Sequence, residues 1–278
     1  MDMPIGCLPV SFYPRFLNGE WTIPSWALLA KSLGLDYIDV NAMFFQGIPL
    51  AELREAREAL ALPVFMVSAY SDFTNPDAAA RRREVKNTIE CFEACGAIGA
   101  RYVRLTAGQR YPGCQDEDVV RGVVACFEEC LRPAEKHNLT ILLENHSKPG
   151  AWQYDDFNFH RERFLNLWDK LKDLPVSINF DLANAWALGD WEELLVAVGG
   201  RIATLHINDL SSISPLSFCC AGEGLVDIET MLRAIFQTGF RGPISIEEAG
   251  FGGEEGLARA VQNTKSLYRA AEPPRTSS

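Results

Sequence analysis

The chain repeats one pattern eight times: a short, largely apolar segment followed by a helical stretch. The apolar segments are IGCLPV (5–10), YIDVNAM (37–43), PVFMVSA (63–69), RYVRLTA (101–107), TILLENH (140–146), VSINFDL (176–182), IATLHIN (202–208) and PISIEEA (243–249). Near-continuous apolarity marks strands covered on both faces, as in a parallel sheet packed under helices. The stretches between them, at 23–34, 49–61, 76–100, 117–138, 159–173, 190–200, 227–240 and 253–271, carry Ala, Leu, Glu and Arg at helical spacing. Gly34 is placed to cap the first and Pro133 to kink the fourth. Eight strand–helix units over about 270 residues predict an α/β fold, a single (β/α)8 TIM barrel spanning 1–271. The polar, proline-containing end EPPRTSS (272–278) is expected to be a disordered tail.

A barrel of parallel strands gathers all its carboxyl ends at one rim, so residues remote in sequence meet there. Four consecutive strands end in a metal-binding side chain: Glu144 in ILLENH, Asp181 in SINFDLAN, His206 in ATLHIND and Glu247 in PISIEEAG. Singly, each has a structural reading. Glu144 can form a salt bridge, Asp181 a helix cap, His206 a satisfied core contact, and Glu247 a pair with Arg101 or Arg104. Jointly, four ionisable groups at one level of apolar strands are costly unless paired or metal-bound. Three carboxylates and one imidazole suit one divalent cation with positions left for substrate. Mn²⁺ fits best, with Mg²⁺, Co²⁺ or Zn²⁺ as alternatives.

Period-two geometry adds a second layer. His146 shares a face with Glu144, and Asn208 with His206. Asn184, three residues after Asp181, can turn back over the site. The long segments after the fifth strand (145–158) and the seventh (209–226) leave the same rim, and SKPGAWQYDDFNF (147–159) has the composition of a substrate lid. The expected substrate-facing residues are His146, Asn184, Asn208, Asp209 and Glu223, with Tyr13, Phe44, Tyr70 and Trp186 as an aromatic wall.

Charge removes other classes. A net charge of −11 without a dense basic block opposes nucleic-acid binding. The eight cysteines are scattered, with no CxxC pair, and read as small core residues in a reducing compartment. No apolar run approaches the ~20 residues of a membrane span. The start MDMPIGCLPV lacks the basic flank of a secretory signal, so the expected location is the cytoplasm. Gly250–Gly253 can cradle a phosphate at a helix start, but Glu254 and Glu255 would repel one, so this run reads as a tight turn.

The whole pattern resembles the xylose isomerase-like TIM-barrel superfamily, in its sugar phosphate isomerase/epimerase branch. The motifs are LLENH, NFDLAN, LHIND and SIEE, with D-x-x-[H/N] met by Asp181 and Asn184. H-[IV]-x-D is met by His206 to Asp209, and G-x-G-x-[IV]-D by Gly222 to Asp227. The resemblance implies that Glu144, Asp181, His206 and Glu247 hold one divalent metal. It implies too that Glu144 and Glu247 act as acid and base on opposite faces of a sugar, with an enediolate stabilised by the metal. The sequence departs from the branch in carrying Asn184 where many members have His, and in having no Arg or Lys over 207–222.

The expected activity is isomerisation or epimerisation of an unphosphorylated sugar or keto-sugar, the partner being that small carbohydrate, with a homo-oligomer left open. A lyase acting on a keto-inositol or keto-glycoside would use the same enolisation, with His146 as acid for the departing hydroxyl. An AP endonuclease would need more His ligands than four His residues allow, and a non-catalytic carbohydrate-binding barrel would not need all four ligand types.

Overall fold

The computed structural model describes residues 3–147 and 152–272. The expected tail, apart from Glu272, and residues 148–151 of the expected lid lie outside the described residues. The strands are β1 (Ile5–Leu8), β2 (Ile38–Asn41), β3 (Val64–Ser68), β4 (Tyr102–Leu105), β5 (Thr140–Glu144), β6 (Val176–Asp181), β7 (Ile202–Ile207), β8 (Asp209–Ile213), β9 (Leu216–Cys219) and β10 (Ile244–Glu247). The helices are α1 (Tyr13–Leu17), α2 (Ile23–Ser32), α3 (Leu50–Ala59), α4 (Ala78–Ile98), α5 (Asp116–Lys136), α6 (Arg161–Leu171), α7 (Leu182–Leu188), α8 (Trp191–Val198), α9 (Ile228–Gln237) and α10 (Gly253–Ala271).

Eight strands form one parallel sheet in the order β1-β10-β7-β6-β5-β4-β3-β2, the nearly closed barrel that the eightfold alternation predicts. Four of these elements were not expected. β8 and β9 form an antiparallel hairpin within the segment read as a loop. Two short helices, α1 and α7, leave the first and sixth barrel strands. α7 starts directly at Asp181, whose Oδ1 accepts from Asn184 N at 2.7 Å and so caps the helix. The long α5 runs through Pro133 to Lys136. At the turn after β10, Phe251 adopts a φ of 52° and its N donates to Ser11 Oγ at 2.8 Å, as a tight turn requires.

The core has two parts of different chemistry. Between strands and helices lies a continuous apolar layer that includes Val40, Val67, Val103, Leu105, Leu143, Phe180, Leu205, Ile207 and Ile246. Inside the barrel, a small apolar plug of Met66, Tyr102 and Leu142 sits apart from it. The interior is otherwise polar: Asp39, Asn41, Ser68, Arg104, Glu144, Asn179, Asp181, Thr204, His206, Asn208 and Ser245 are all buried. The strands are therefore continuous only in burial. Their inward positions alternate with apolar outward ones, as period-two geometry demands.

The seam between β1 and β2 closes without a ladder. Asp36 N donates to Ile5 O at 2.8 Å, and Ile5 N donates to Asp36 Oδ2 at 2.9 Å. Tyr37 fills the space behind it, its hydroxyl donating to Ile244 O at 2.6 Å and its ring 4.7 Å from Phe65. A Cβ on Gly6 would lie 2.0 Å from Tyr37 Cε2. The ring is tethered at its far end and cannot retreat. Gly6→Ala should therefore destabilise the protein by more than about 2 kcal/mol through overpacking, measured by chemical unfolding; a change within ~0.5 kcal/mol would show that the seam yields.

Candidate metal and active site

The register of the parallel sheet brings the strand ends together. Asp181 pairs with His206 across β6 and β7, and Glu144 pairs with Asn179 across β5 and β6. One ligand atom from each of Glu144, Asp181 and His206 lies within 4.8 Å of the others, and all three residues are fully buried. Glu247 stands at the edge of this group. Its Oε1 is 4.0 Å from His206 Nδ1, and its side chain retains 11% exposure.

Amides hold the carboxylates in place. Asn179 Nδ2 donates to Glu144 Oε1 at 2.7 Å, and Thr204 Oγ1 donates to Asn179 Oδ1 at 2.6 Å. Asn208 Nδ2 donates to Asp181 Oδ2 at 2.8 Å and to Glu247 Oε2 at 2.9 Å, while its Oδ1 accepts from Ala183 N. Asn145 clamps the end of β6 by donating to Asp181 O and accepting from Asp181 N. Asn158, returning from the loop after β5, donates to Glu144 O at 3.0 Å.

The electrostatics are those of a crowded anionic site. Burial raises the Asp181 carboxyl well above the usual range, and the Glu247 and Glu144 charges add to that. Burial acts the same way on Glu144, but Arg104 and His206 outweigh it and hold the carboxyl well below the usual range. Burial opposes charge on His206, yet Glu144 leads the carboxylates in holding its imidazole up at about 9. His206 Nδ1 lies 2.7 Å from Glu144 Oε1 without hydrogen-bonding alignment. Both His206 ring nitrogens and Glu144 Oε2 lack hydrogen-bond partners although buried. A buried Glu144 oxygen without a hydrogen bond, mutually repelling carboxylates and an imidazole that would give up its proton to a metal fit a divalent cation.

The expected lid folds over this rim as far as it is described. His146 Nδ1 lies 2.7 Å from Asp156 Oδ1, which also accepts from Trp152 Nε1 at 2.7 Å. Tyr70 meets His146 and Trp152 edge-on, at 5.4 and 6.0 Å. Two backbone bonds, Arg110 N to Asp155 O and Phe157 N to Gly108 O, fasten the returning strand of the lid to the loop after β4. A wide groove of about 1050 Å³ alongside, lined by Arg110, Tyr111, Tyr154 and Arg163 among others, contains none of the cluster residues. The chemistry rather than the volume marks the site.

The remaining expected residues divide. Asn184 is buried on α7 beside Asp181, with Oδ1 unpartnered. Tyr13 is buried, its hydroxyl accepting from Asn41 Nδ2 at 3.2 Å and its ring 5.2 Å from Phe44. Phe44 itself stacks on Phe16 at 4.0 Å, and Trp186 is half-buried against the core. Asp209 and Glu223 are not brought to the cluster. Asp209 spends its carboxylate on four backbone amides, those of Leu210, Gly222, Gly224 and Val226, and so shapes the hairpin segment. Glu223 points to Arg259, 3.0 Å away on the surface. Asn179, Asn145 and Asp156 were missed, and Arg104, expected only as a possible partner of Glu247, stands against Glu144 instead. For Arg104 the signal was a basic residue at an inward position of a barrel strand, where only a counter-charge or a ligand justifies it.

The family model described as xylose isomerase-like TIM barrel matches residues 27–267. The chain belongs to this family. An inosose isomerase of Bacillus velezensis is 23% identical over 238 residues, covering 79% of this chain and 80% of that protein. The L-ribulose-5-phosphate 3-epimerase UlaE of Escherichia coli is 23% identical over 258 residues, covering 86% and 87%. The structure of the IOLI protein with a binding zinc atom superposes with a TM-score of 0.76 at 20% identity, covering 97% of this chain and 98% of that one. The probable 3-DHS dehydratase AsbF from Bacillus anthracis gives a TM-score of 0.76 at 16% identity, covering 95% and 99%. At these identities the two structures establish the fold.

Below the Glu144–Asp181–His206 cluster of this xylose isomerase-like barrel sits another buried carboxylate. Asp39 Oδ2 accepts from Ser245 Oγ at 2.5 Å, and Oδ1 accepts from Met66 N at 2.9 Å. Burial nevertheless pushes its carboxyl up to about 6. Below about pH 4 the group is protonated in folded and unfolded chains alike; between about 4 and 6 the unfolded chain ionises first and stability falls, by roughly 3 kcal/mol once the interval is crossed. Asp39→Asn keeps a partner for Ser245 and removes this loss. The metal-free variant should be more stable than wild type above pH 6, with the difference vanishing near pH 4 in urea unfolding. An equal gap at both pH values would assign the effect to packing.

Proposed function

We propose that the chain is a divalent-metal-dependent enzyme that enolises a small ketonic carbohydrate or related polyol, acting as an isomerase or epimerase. The observation that carries this is the buried Glu144–Asp181–His206 cluster with Glu247 beside it at the carboxyl-terminal rim. Relatives named as an isomerase and an epimerase support the reaction class.

Glu144, Asp181 and His206 would hold the metal, with Glu247 completing the set. When bound, the cation supplies positive charge next to the reacting carbonyl, making the neighbouring C–H acidic enough for a carboxylate to remove its proton. The two glutamates differ in what already holds them. Glu144 Oε1 accepts from Asn179, and Oε2 lies 3.1 Å from Arg104 Nε in an ion pair without hydrogen-bonding geometry. Glu247 is held through Oε2 and keeps some exposure on the substrate side. Glu247 is therefore the better placed to take the proton first. Inversion would then require Glu144, ionised in the free site, to take up a proton and return it to the opposite face of the carbon.

A dehydratase reading is favoured by one contact. Asp156 fixes His146 through Nδ1, which orients the other ring nitrogen as an acid for a departing hydroxyl. The neighbour AsbF, described as a probable dehydratase, has the same fold.

The test is proton exchange from deuterated water into keto-sugars, read by NMR together with metal content. Chelation should abolish exchange, and Mn²⁺ should restore it. Glu247→Gln should lower exchange at least ~100-fold while the metal is retained. Glu144→Gln should lose both. Asn208→Ala, which frees Asp181 and Glu247 from their common donor, should weaken metal binding by about 10–100-fold. Full exchange by a metal-loaded Glu247→Gln protein would remove Glu247 from the chemistry; exchange untouched by chelation would remove the metal.

A further inference from the structure

Arg104 is the one buried Arg or Lys among the described residues, and its side chain is fully enclosed. It rises from an inward position of β4, level with Leu142 of β5 and Ser68 of β3, into the space under the ligand layer. Its Nε lies 3.1 Å from Glu144 Oε2, but the approach lacks hydrogen-bonding geometry. Nη1 and Nη2 have no hydrogen-bond partner. The Tyr70 ring lies 5.0 Å from Cζ, and Glu144, Tyr70, Glu247 and Tyr13 are the charged and phenolic groups around it.

A buried guanidinium with both terminal nitrogens unpaired is expensive, since charged donors left unsatisfied lose their full hydration. Glu144 balances the charge without occupying the fork. The fork is a rigid planar pair of donors, and its best complement is a planar pair of acceptor oxygens. No residue of the hairpin segment supplies a second cation, for 207–222 contains neither Arg nor Lys.

We infer that the substrate is a keto acid: a polyhydroxylated ketone whose carboxylate is gripped by Nη1 and Nη2 of Arg104 while its ketone lies at the Glu144–Asp181–His206 cluster. This rests on the enolisation proposed above and narrows its substrate class. A phosphate offers oxyanions too, but it is tetrahedral and doubly charged, and Glu144 and Glu247 place negative charge around Arg104. A neutral sugar would leave the charged fork with hydroxyl acceptors only.

The experiment is calorimetric titration of the full, Mn²⁺-loaded chain with cyclohexanecarboxylate, cyclohexanecarboxamide and cyclohexyl phosphate. The carboxylate should bind at least ~10-fold more tightly than the other two, the scale of a charge-assisted bidentate pair. Arg104→Met should erase that preference, and Arg104→Lys, which keeps the charge but not the fork, should retain only part of it. Circular dichroism and metal content accompany each variant. The wild-type preference tests the inference even where Arg104→Met does not fold. Equal binding of amide and carboxylate, tighter binding of the phosphate, no binding of any probe, or an Arg104→Met protein with undiminished carboxylate affinity would each overturn it. Proton exchange separates this from the proposed function. Exchange on neutral ketoses without a carboxylate preference overturns the keto-acid inference and leaves the enolising enzyme standing. A carboxylate preference with no exchange on any ketone, keto acids included, does the reverse.

Discussion

A carboxylate cut off from water must be held by donors and opposite charge, and Glu144 is where this barrel meets that demand. Asn179 engages one oxygen, Arg104 stands against the other, and His206 approaches from β7. Each comes from a different strand: Asn179 from β6, Arg104 from β4 and His206 from β7. The position of Glu144 therefore depends on the register of four neighbouring strands. The dependence also runs the other way, because a one-residue slip would turn every inward polar residue of a strand into the helix layer. The interior charges and the sheet register specify each other.

The same logic accounts for the amides. Asn208 joins Asp181 and Glu247, two carboxylates whose charges repel, through a single nitrogen. Asn145 ties the backbone of β6 to the end of β5 through both of its side-chain atoms. Neutral donors stabilise anions without neutralising them, and so leave net negative charge for a cation. Arg104 supplies one fixed positive charge from below. The carboxylates of the cluster are thus immobilised by hydrogen bonds, an arrangement that would fix the geometry of a bound cation.

The hairpin of β8 and β9 shows how a polar residue next to the cluster can be wholly structural. Asp209 directly follows Asn208 and lies one peptide from the site. Its side chain turns the other way and gathers four backbone amides. Gly224 is required there, since a Cβ would fall 2.4 Å from Asp209 Oδ1. One residue separates a group that faces the carboxylate cluster from one that builds the adjoining loop.

By itself the sequence determined the strand–helix count, hence the barrel, and the four strand-end ligand candidates, because apolar periodicity and the expense of buried ionisable groups are local properties readable in one dimension. It also marked His146 and Asn208 through period-two alternation. It did not reveal that Glu144 leans on Arg104 and Asn179, since those partners are 40 and 35 residues away and meet it only through sheet register. Nor did it separate Asn208, which faces the cluster, from Asp209, which does not, although both sit in one motif. Only the tertiary structure decided these points. A side chain's direction at the end of a strand depends on where the chain turns next, and that turn is set by contacts with residues remote in sequence.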